Sequence, residues 1–252
     1  MKGKRVGVGA LDSPQATLLP LSHLRAQGLI ENENAALLVP AKFIAQIHPH
    51  CREVMQSLAL QVADEARHIK VFTRRIALRN CELGLSTVSG QQSLKTLLDE
   101  PDFALASFLL SVLGEGTFLN LLWFLETRAP DPVTRQIARL VAQDEARHVA
   151  FGLSHLQYQI AFEPALRERL AAAINRRHDA LANTTGLNEE VFAALVLLAA
   201  GDTTPTAIAT GFAKVQALKE EMHAARQTRL LKLGFAEAEA DALSALHTKN
   251  FM

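Results

Sequence analysis

One pentapeptide occurs twice in this chain, and the two copies lie 80 residues apart. Asp64-Glu65-Ala66-Arg67-His68 recurs as Asp144-Glu145-Ala146-Arg147-His148. With 17 glutamates and nine histidines in 252 residues, chance alone yields about 0.6 Glu-x-x-His pairs. Each copy also lies in a long segment whose apolar residues recur every three to four positions. The repeat therefore indicates two related helices with a shared role.

The composition around the repeat favours an all-α fold. The chain has 13 glycines, nine prolines, one tyrosine and one tryptophan, and few runs alternate between polar and apolar residues. Periodicity and turn signals predict long helices at about 29–47, 50–84, 102–128 and 132–162. Residues 85–101 are expected to form the long crossover connection of a four-helix bundle. Further helices are expected at about 164–183, 188–200, 204–232 and 236–247.

The predicted organisation has three parts. Residues 1–28 are expected to be irregular, residues 29–162 to form the bundle, and residues 163–252 to form additional helices that pack on it. No linker-like stretch precedes the last part, so a separate C-terminal domain is not expected.

The charge balance excludes several classes of partner. The 26 basic and 26 acidic side chains cancel, which argues against binding to nucleic acid or to an anionic membrane surface. No apolar stretch reaches the roughly 20 residues that span a bilayer, and the short apolar run near the N-terminus does not resemble a signal peptide. Cys51 and Cys81 are too few for a disulfide framework. We expect a soluble, cytoplasmic protein.

The repeat can supply half of a metal site from each of two helices. Residues i and i+3 share a helix face, so Glu65 and His68 can present an oxygen and a nitrogen to one point. Glu145 and His148 can do the same from the second helix. Two such pairs that face each other across a bundle predict a site for two cations.

Two more carboxylates are needed to complete such a site, one from each remaining helix. Glu115 lies 30 residues before Glu145, and Glu33 lies 32 residues before Glu65. Glu31 competes with Glu33, but Glu33 is closer to the apolar run that follows and is expected to point inward. The sequence therefore places one carboxylate on each preceding helix.

Four buried carboxylates also indicate the charge of what they bind. Without compensation they would repel one another and carry a large desolvation cost, whereas two divalent cations bring the total charge to zero. Carboxylate and imidazole ligands with open positions suit iron, with manganese as the alternative. Zinc favours fewer carboxylates, and magnesium does not select histidine. We expect two iron ions.

The double Glu…Glu-x-x-His pattern resembles the ferritin-like di-iron carboxylate superfamily over about residues 29–162. Its Asp-Glu-x-Arg-His form is similar to that of bacterial multicomponent monooxygenase hydroxylases and of the ribonucleotide reductase small subunit. The resemblance implies a ferritin-like four-helix bundle with six metal ligands: Glu33, Glu65, His68, Glu115, Glu145 and His148. It further implies that Asp64 and Asp144 each orient the histidine of the opposite motif. Arg67 and Arg147 would neutralise these aspartates.

Several members of the superfamily match less well. A radical-generating reductase subunit would have a tyrosine one turn after the first histidine ligand, where this chain has Phe72. A rubrerythrin-like peroxidase would have an acidic ligand at Phe118, and a p-aminobenzoate N-oxygenase a histidine at Val141. Storage ferritins are much shorter chains. A ferroxidase or iron-storage protein and a metal-dependent scaffold are the alternatives from other classes.

Glycines near the predicted ligands suggest where the site can move or open. Gly114 and Gly116 flank Glu115, and each costs about 1 kcal/mol relative to alanine inside a helix. They permit a π-bulge that lets Glu115 shift, or else close packing against a bulky neighbour. Gly152 is the predicted pocket position, because a missing side chain leaves space. Glu115 and Gly152 are thus the predicted catalytic positions, beside an apolar lining of Ala36, Leu37, Phe72, Val112, Phe118 and Leu119.

Three other patterns contain histidine. Glu220-Glu221-Met222-His223, with Glu190 upstream, lacks the Asp and Arg of the repeat and is interpreted as a solvated helix face. His155 is either an acid–base group beside the site or an ordinary histidine near a helix end. Arg176-Arg177-His178 is interpreted as a surface cation cluster.

The sequence therefore predicts a non-haem di-iron oxygenase or oxidase. It would activate O₂ to hydroxylate, N-oxygenate or otherwise oxidise a small organic substrate. Gly7-Val8-Gly9 lacks the strand and helix that flank a nucleotide-binding fingerprint, so an external electron donor is expected. The expected partners are the substrate, O₂ and this donor, and a homodimer is compatible with the sequence. Substrate access and partner choice are assigned to the C-terminal third.

Overall fold

The computed structural model describes residues 30–78, 88–181 and 189–247. Over these ranges the chain forms nine helices and no strand, which confirms the predicted all-α class. The predicted irregular segment at 1–28 lies outside the described residues. In chain order the helices are α1 (Ile30–Ile44), α2 (Arg52–Ala77), α3 (Val88–Leu98), α4 (Phe103–Arg128), α5 (Pro132–Phe162), α6 (Leu166–Leu181), α7 (Glu189–Ala200), α8 (Pro205–Lys232) and α9 (Glu237–His247).

Helix α3 lies where a connection without helix was expected. The glycine and serine residues at its start suggested a loop, but Ser93 and Leu97 are buried on one face of the helix. Leu94 and Leu98 pack beside them against the main core. Helix α3 contacts α1 and α6, so this part of the connection covers the long helices as a packed element.

Helix α4 changes its winding along its length. Phe103–Ser107 and Gly116–Arg128 are α-helical, and Phe108–Glu115 between them is π-helical. Almost all side chains of this π-helical segment are buried. By length and composition α4 could also cross a membrane, contrary to the expectation that no segment could, but most of its apolar residues lie inside the protein.

The four long helices pack as two neighbouring pairs. Helix α1 lies along α2, and α4 lies along α5, while α2 and α5 meet between the pairs. Helix α5 begins at Pro132, whose missing N–H is not needed in a first turn, and Asp131 caps it by accepting a hydrogen bond from the Thr134 amide. This packing brings the two copies of the repeated pentapeptide, on α2 and α5, face to face.

The C-terminal helices share the core of the long helices. Phe108 of α4 and Leu156 of α5 belong to the same buried cluster as Leu170 of α6 and Leu230 of α8. A second buried cluster joins α4 to α7 and α8, with Leu195 at its centre. Residues 163–252, as far as they are described, therefore pack on the long helices, and no separate core divides them.

Candidate metal centre

The six predicted ligands lie together in the interior. Helices α2 and α5 each contribute a glutamate and a histidine, and α1 and α4 each contribute one glutamate. All six side chains are buried. Their ligand atoms form two groups, and within each group the atoms lie within 4.8 Å of one another. The first group is Glu33, Glu65, His68 and Glu145, and the second is Glu65, Glu115, Glu145 and His148.

The two groups share Glu65 and Glu145. Each group adds one histidine and one glutamate of its own, so the arrangement is nearly symmetric. The ring centroids of His68 and His148 are 6.4 Å apart, close enough for the two rings to flank a single centre. Two shared carboxylates between two sets of terminal ligands can hold a pair of cations.

Each histidine contacts the aspartate of the opposite motif. His68 Nε2 lies 3.1 Å from an Asp144 carboxylate oxygen, and His148 Nε2 lies 3.1 Å from Asp64. The other ring nitrogen, Nδ1, faces the glutamates in both cases, for example 3.1 Å from Glu33 Oε2 for His68. The aspartates therefore fix the ring orientation that directs Nδ1 into the centre.

Arg67 and Arg147 close this arrangement on its outer side. Each guanidinium contacts both Asp64 and Asp144 at 3.1 Å or less. The arginine side chains are more than half exposed, whereas the aspartates are largely covered. Four side chains from two helices thus form a closed ring of ion pairs between the histidines and the surface.

The donor set fits a metal because some of its buried oxygens lack partners. Glu115 Oε1 accepts a hydrogen bond of 2.7 Å from Gln61, but Glu115 Oε2 has no hydrogen-bond partner within the described chain. Glu33 Oε1 is in the same position. A buried acceptor without a partner costs about 1–3 kcal/mol, and a cation between the groups would remove that cost.

The ionisation of the cluster leads to the same conclusion. Burial raises the pKa of Glu33 and Glu115 well above the usual range, and neighbouring glutamates raise it further. Burial alone would lower the pKa of His148, but Glu145 and Glu65 outweigh it and raise the pKa to about 11. The pKa of His68 is raised for the same reason. Without metal, protons therefore supply the positive charge that four clustered carboxylates require.

Gln61 is a contact that the sequence interpretation missed. It lies on α2 one turn before Glu65, on the same buried face, and its amide donates to Glu115 on α4. The signal was a polar residue in register with the apolar stripe of the helix. Gln61 holds one oxygen of a predicted metal ligand in place.

The structure contains both features proposed for the glycines around Glu115. The π-helical segment ends at Glu115, as the first proposal expected. A Cβ atom at Gly116 would lie 2.6 Å from the Arg229 guanidinium, which is the close packing of the second. Arg229, on α8, is buried and donates from Nε to the Val112 carbonyl at 2.7 Å. A C-terminal helix thus supports the backbone that carries Glu115.

The prediction for Gly152 is wrong. A Cβ atom there would lie 2.7 Å from Ser111 Cβ, so the absent side chain allows α5 to approach the π-helical segment and leaves no pocket. A cavity of about 50 Å³ lies elsewhere along the cluster, where Glu33, Glu115 and Glu145 reach its surface. Of the predicted apolar lining, it includes Ala36 and Phe118.

Three further interpretations are settled by position. Glu220 and Glu221 are exposed and His223 pairs with Asp241, as expected of a solvated helix face; the side chain of Glu190 lies outside the described residues. His155 stacks on Phe151 away from the cluster, and burial lowers its pKa. The surface interpretation of residues 176–178 is wrong for Arg177, which is buried and lines the cavity.

Comparison of the chain with models of known protein families gives no match, and comparison with curated protein sequences gives none either. The assignment of a function therefore depends on the site itself.

Proposed function

We propose that this chain belongs to the ferritin-like di-iron carboxylate superfamily and is an O₂-dependent oxidoreductase acting on a small organic substrate. One observation carries the proposal: two buried ligand groups share Glu65 and Glu145, and each has its own histidine and terminal carboxylate. This is the donor set expected for two iron ions with open positions.

Iron held by these six residues would supply the electrons for O₂ reduction, with two electrons and two protons from outside completing a monooxygenation that yields oxidised substrate and water. The side chains of the protein prepare the site for this chemistry. Asp64 and Asp144 hold the histidine rings, and Gln61 holds Glu115. The unpartnered oxygens of Glu33 and Glu115 are available as terminal ligands.

The cavity favours substrate oxidation over iron storage. Its lining is mostly apolar, with Ala36, Leu110 and Phe118 among its residues, and three predicted ligands reach it. Apolar walls exclude water from a reactive centre and accept an organic molecule, whereas a route for hydrated iron would be lined by polar groups. The proposed activity is therefore oxidation of a molecule that enters this cavity.

Anaerobic titration with Fe(II) tests the proposal. We expect saturation at two equivalents per chain, followed by O₂ consumption when air is admitted. Glu65→Gln keeps the side-chain size but removes a shared ligand, and it should abolish binding of at least one equivalent. Glu53→Gln on the same helix is the matched control, because Glu53 is exposed and lies far from the cluster in sequence. Binding far above two equivalents in the parent chain, or unchanged stoichiometry in Glu65→Gln, contradicts the proposal.

A further inference from the structure

The cavity beside the candidate metal centre contains one arginine, Arg177 of α6. Buried apolar residues on this helix, among them Leu170, Ile174 and Leu181, recur at helical spacing, and Arg177 occupies a position in the same stripe. Its side chain therefore points into the protein, where only 6% of the residue is exposed. Its neighbour Arg176 is exposed.

The guanidinium of Arg177 is incompletely satisfied. Nη2 donates to Ser93 Oγ at 3.0 Å, but Nη1 is buried without a hydrogen-bond partner. No carboxylate of the described residues forms an ion pair with it. Burial lowers the pKa of Arg177 to about 10, which leaves the group charged at neutral pH. A buried cation with a free donor is costly unless an anion binds it.

The rest of the cavity indicates what else such an anion carries. Glu33, Glu115 and Glu145 line the same cavity, and the other contacts are mostly apolar. A molecule that fills the cavity therefore needs an anionic group for Arg177 and an apolar body that comes close to the ligand carboxylates. A volume of about 50 Å³ limits that body to a small one.

The number of donors selects the type of anion. The planar guanidinium matches the two oxygens of a carboxylate, and the Ser93 hydroxyl lies next to it. Arg177 is the only basic side chain among the described residues that line the cavity, so a dianionic phosphate would remain undercompensated. The site is thus suited to a single negative charge.

We propose that the substrate is a small organic acid whose carboxylate binds Arg177 while its apolar part extends toward the metal centre. The inference rests on the proposed function, since it names the substrate class of that site. It also gives α6 a part in substrate binding.

Anaerobic calorimetry on the Fe(II)-loaded protein tests this inference with straight-chain acids from butanoate to octanoate and their primary amides. We expect the best acid to bind about 10- to 100-fold more tightly than its amide, the range for a hydrogen-bonded charge. Arg177→Gln should remove this preference. Arg176→Gln deletes the same charge one residue away and should keep it.

The outcomes separate the two proposals. If the parent chain binds two iron equivalents but prefers no acid, or if Arg177→Gln retains the preference, the substrate inference is overturned and the metal centre stands. If two equivalents do not bind, the proposed function fails first. Should Arg177→Gln not fold, Arg177→Lys keeps the charge but loses the planar fork. An acid preference equal to that of the parent chain in this variant would contradict recognition by the guanidinium.

Discussion

Each histidine of the candidate centre is held from two sides by groups that come from different helices. His148 on α5 has glutamates at Nδ1 and Asp64 of α2 at Nε2. The aspartate both orients the ring and increases its basicity as a ligand. Asp64 therefore influences metal affinity although it is not placed among the ligand atoms.

Asp64→Asn should weaken metal binding by about 10- to 100-fold, because the neutral amide holds the ring less strongly. Competition with a chelator of known affinity, using Co(II) or Fe(II), measures the change. Asp241→Asn is the control, since Asp241 forms a similar contact with His223 at 3.0 Å outside the cluster. Equal affinities for the Asp64 variant and the parent chain would show that the contact has no role in binding.

Single residues also show how far the sequence could be interpreted. The six ligands were predictable because a repeated motif fixes their spacing along the chain, and Glu33 rather than Glu31 lies in the cluster. Gln61 and Arg177 were missed because each is a polar residue within an apolar stripe. Whether such a residue is buried depends on the helix packed against it, which sequence periodicity does not reveal.

Among the elements, α5 is tied to α2 at its first turn. Asp131 accepts hydrogen bonds from the backbone and side chain of Thr134 and forms an ion pair with Arg75 of α2. Burial raises the pKa of Asp131, but these contacts outweigh it and lower the pKa to about 2. The cap thus also links the two helices that carry the repeat.

This cap predicts a pH-dependent contribution to stability. The folded-state pKa lies below the usual value of 3.8, so the contribution is complete above about pH 4 and is lost as the pH falls toward 2. Asp131→Asn should lower the free energy of unfolding by about 1 kcal/mol at pH 7 and by less at pH 3. Urea unfolding at both pH values measures this. Asp99→Asn, in an exposed pair with Lys95, should change little at either pH.

Two other elements illustrate what local sequence conceals. Helix α3 begins in a glycine- and serine-rich stretch, and its buried face exists only because α1 and α6 cover it. The π-helical winding of α4 was suggested by glycines, but its extent over Phe108–Glu115 depends on packing, including that of Arg229 from α8. Local propensity indicates where a helix can deviate, and tertiary contacts determine how far.

At the scale of the whole molecule, the C-terminal helices belong to the candidate site. Helix α6 contributes Arg177 to the cavity, and α8 contributes Arg229 behind Glu115. The prediction that the C-terminal third governs substrate access agrees with this placement, although no sequence motif marked either arginine. The contributions of these helices became visible only when they were placed against α4.

Metal removal should therefore lower the stability of the whole protein, and the effect should depend on pH. Free metal at 100 times its dissociation constant stabilises the folded state by about 2.7 kcal/mol per site. Because the raised pKa values of Glu33, Glu115 and His148 keep protons on the free cluster, metal must displace them. The rise in melting temperature on adding Co(II), relative to chelator, should be larger at pH 8 than at pH 6.

Glu65→Gln, which lacks a shared ligand, provides the comparison for this measurement. Its melting temperature should respond much less to Co(II) at both pH values. A response to metal that does not change with pH in the parent chain would indicate that no protons are exchanged on binding.

The reciprocal contacts between the two motifs also bear on the assembly of the protein. Asp64 serves His148, and Asp144 serves His68, so each copy of the repeat completes the other. A helix pair folded alone would have its histidine without the aspartate that orients it, and its shared glutamate without a counterpart. Metal affinity is consequently a property of the joined halves, and gain of metal during refolding would time the moment at which α2 and α5 meet.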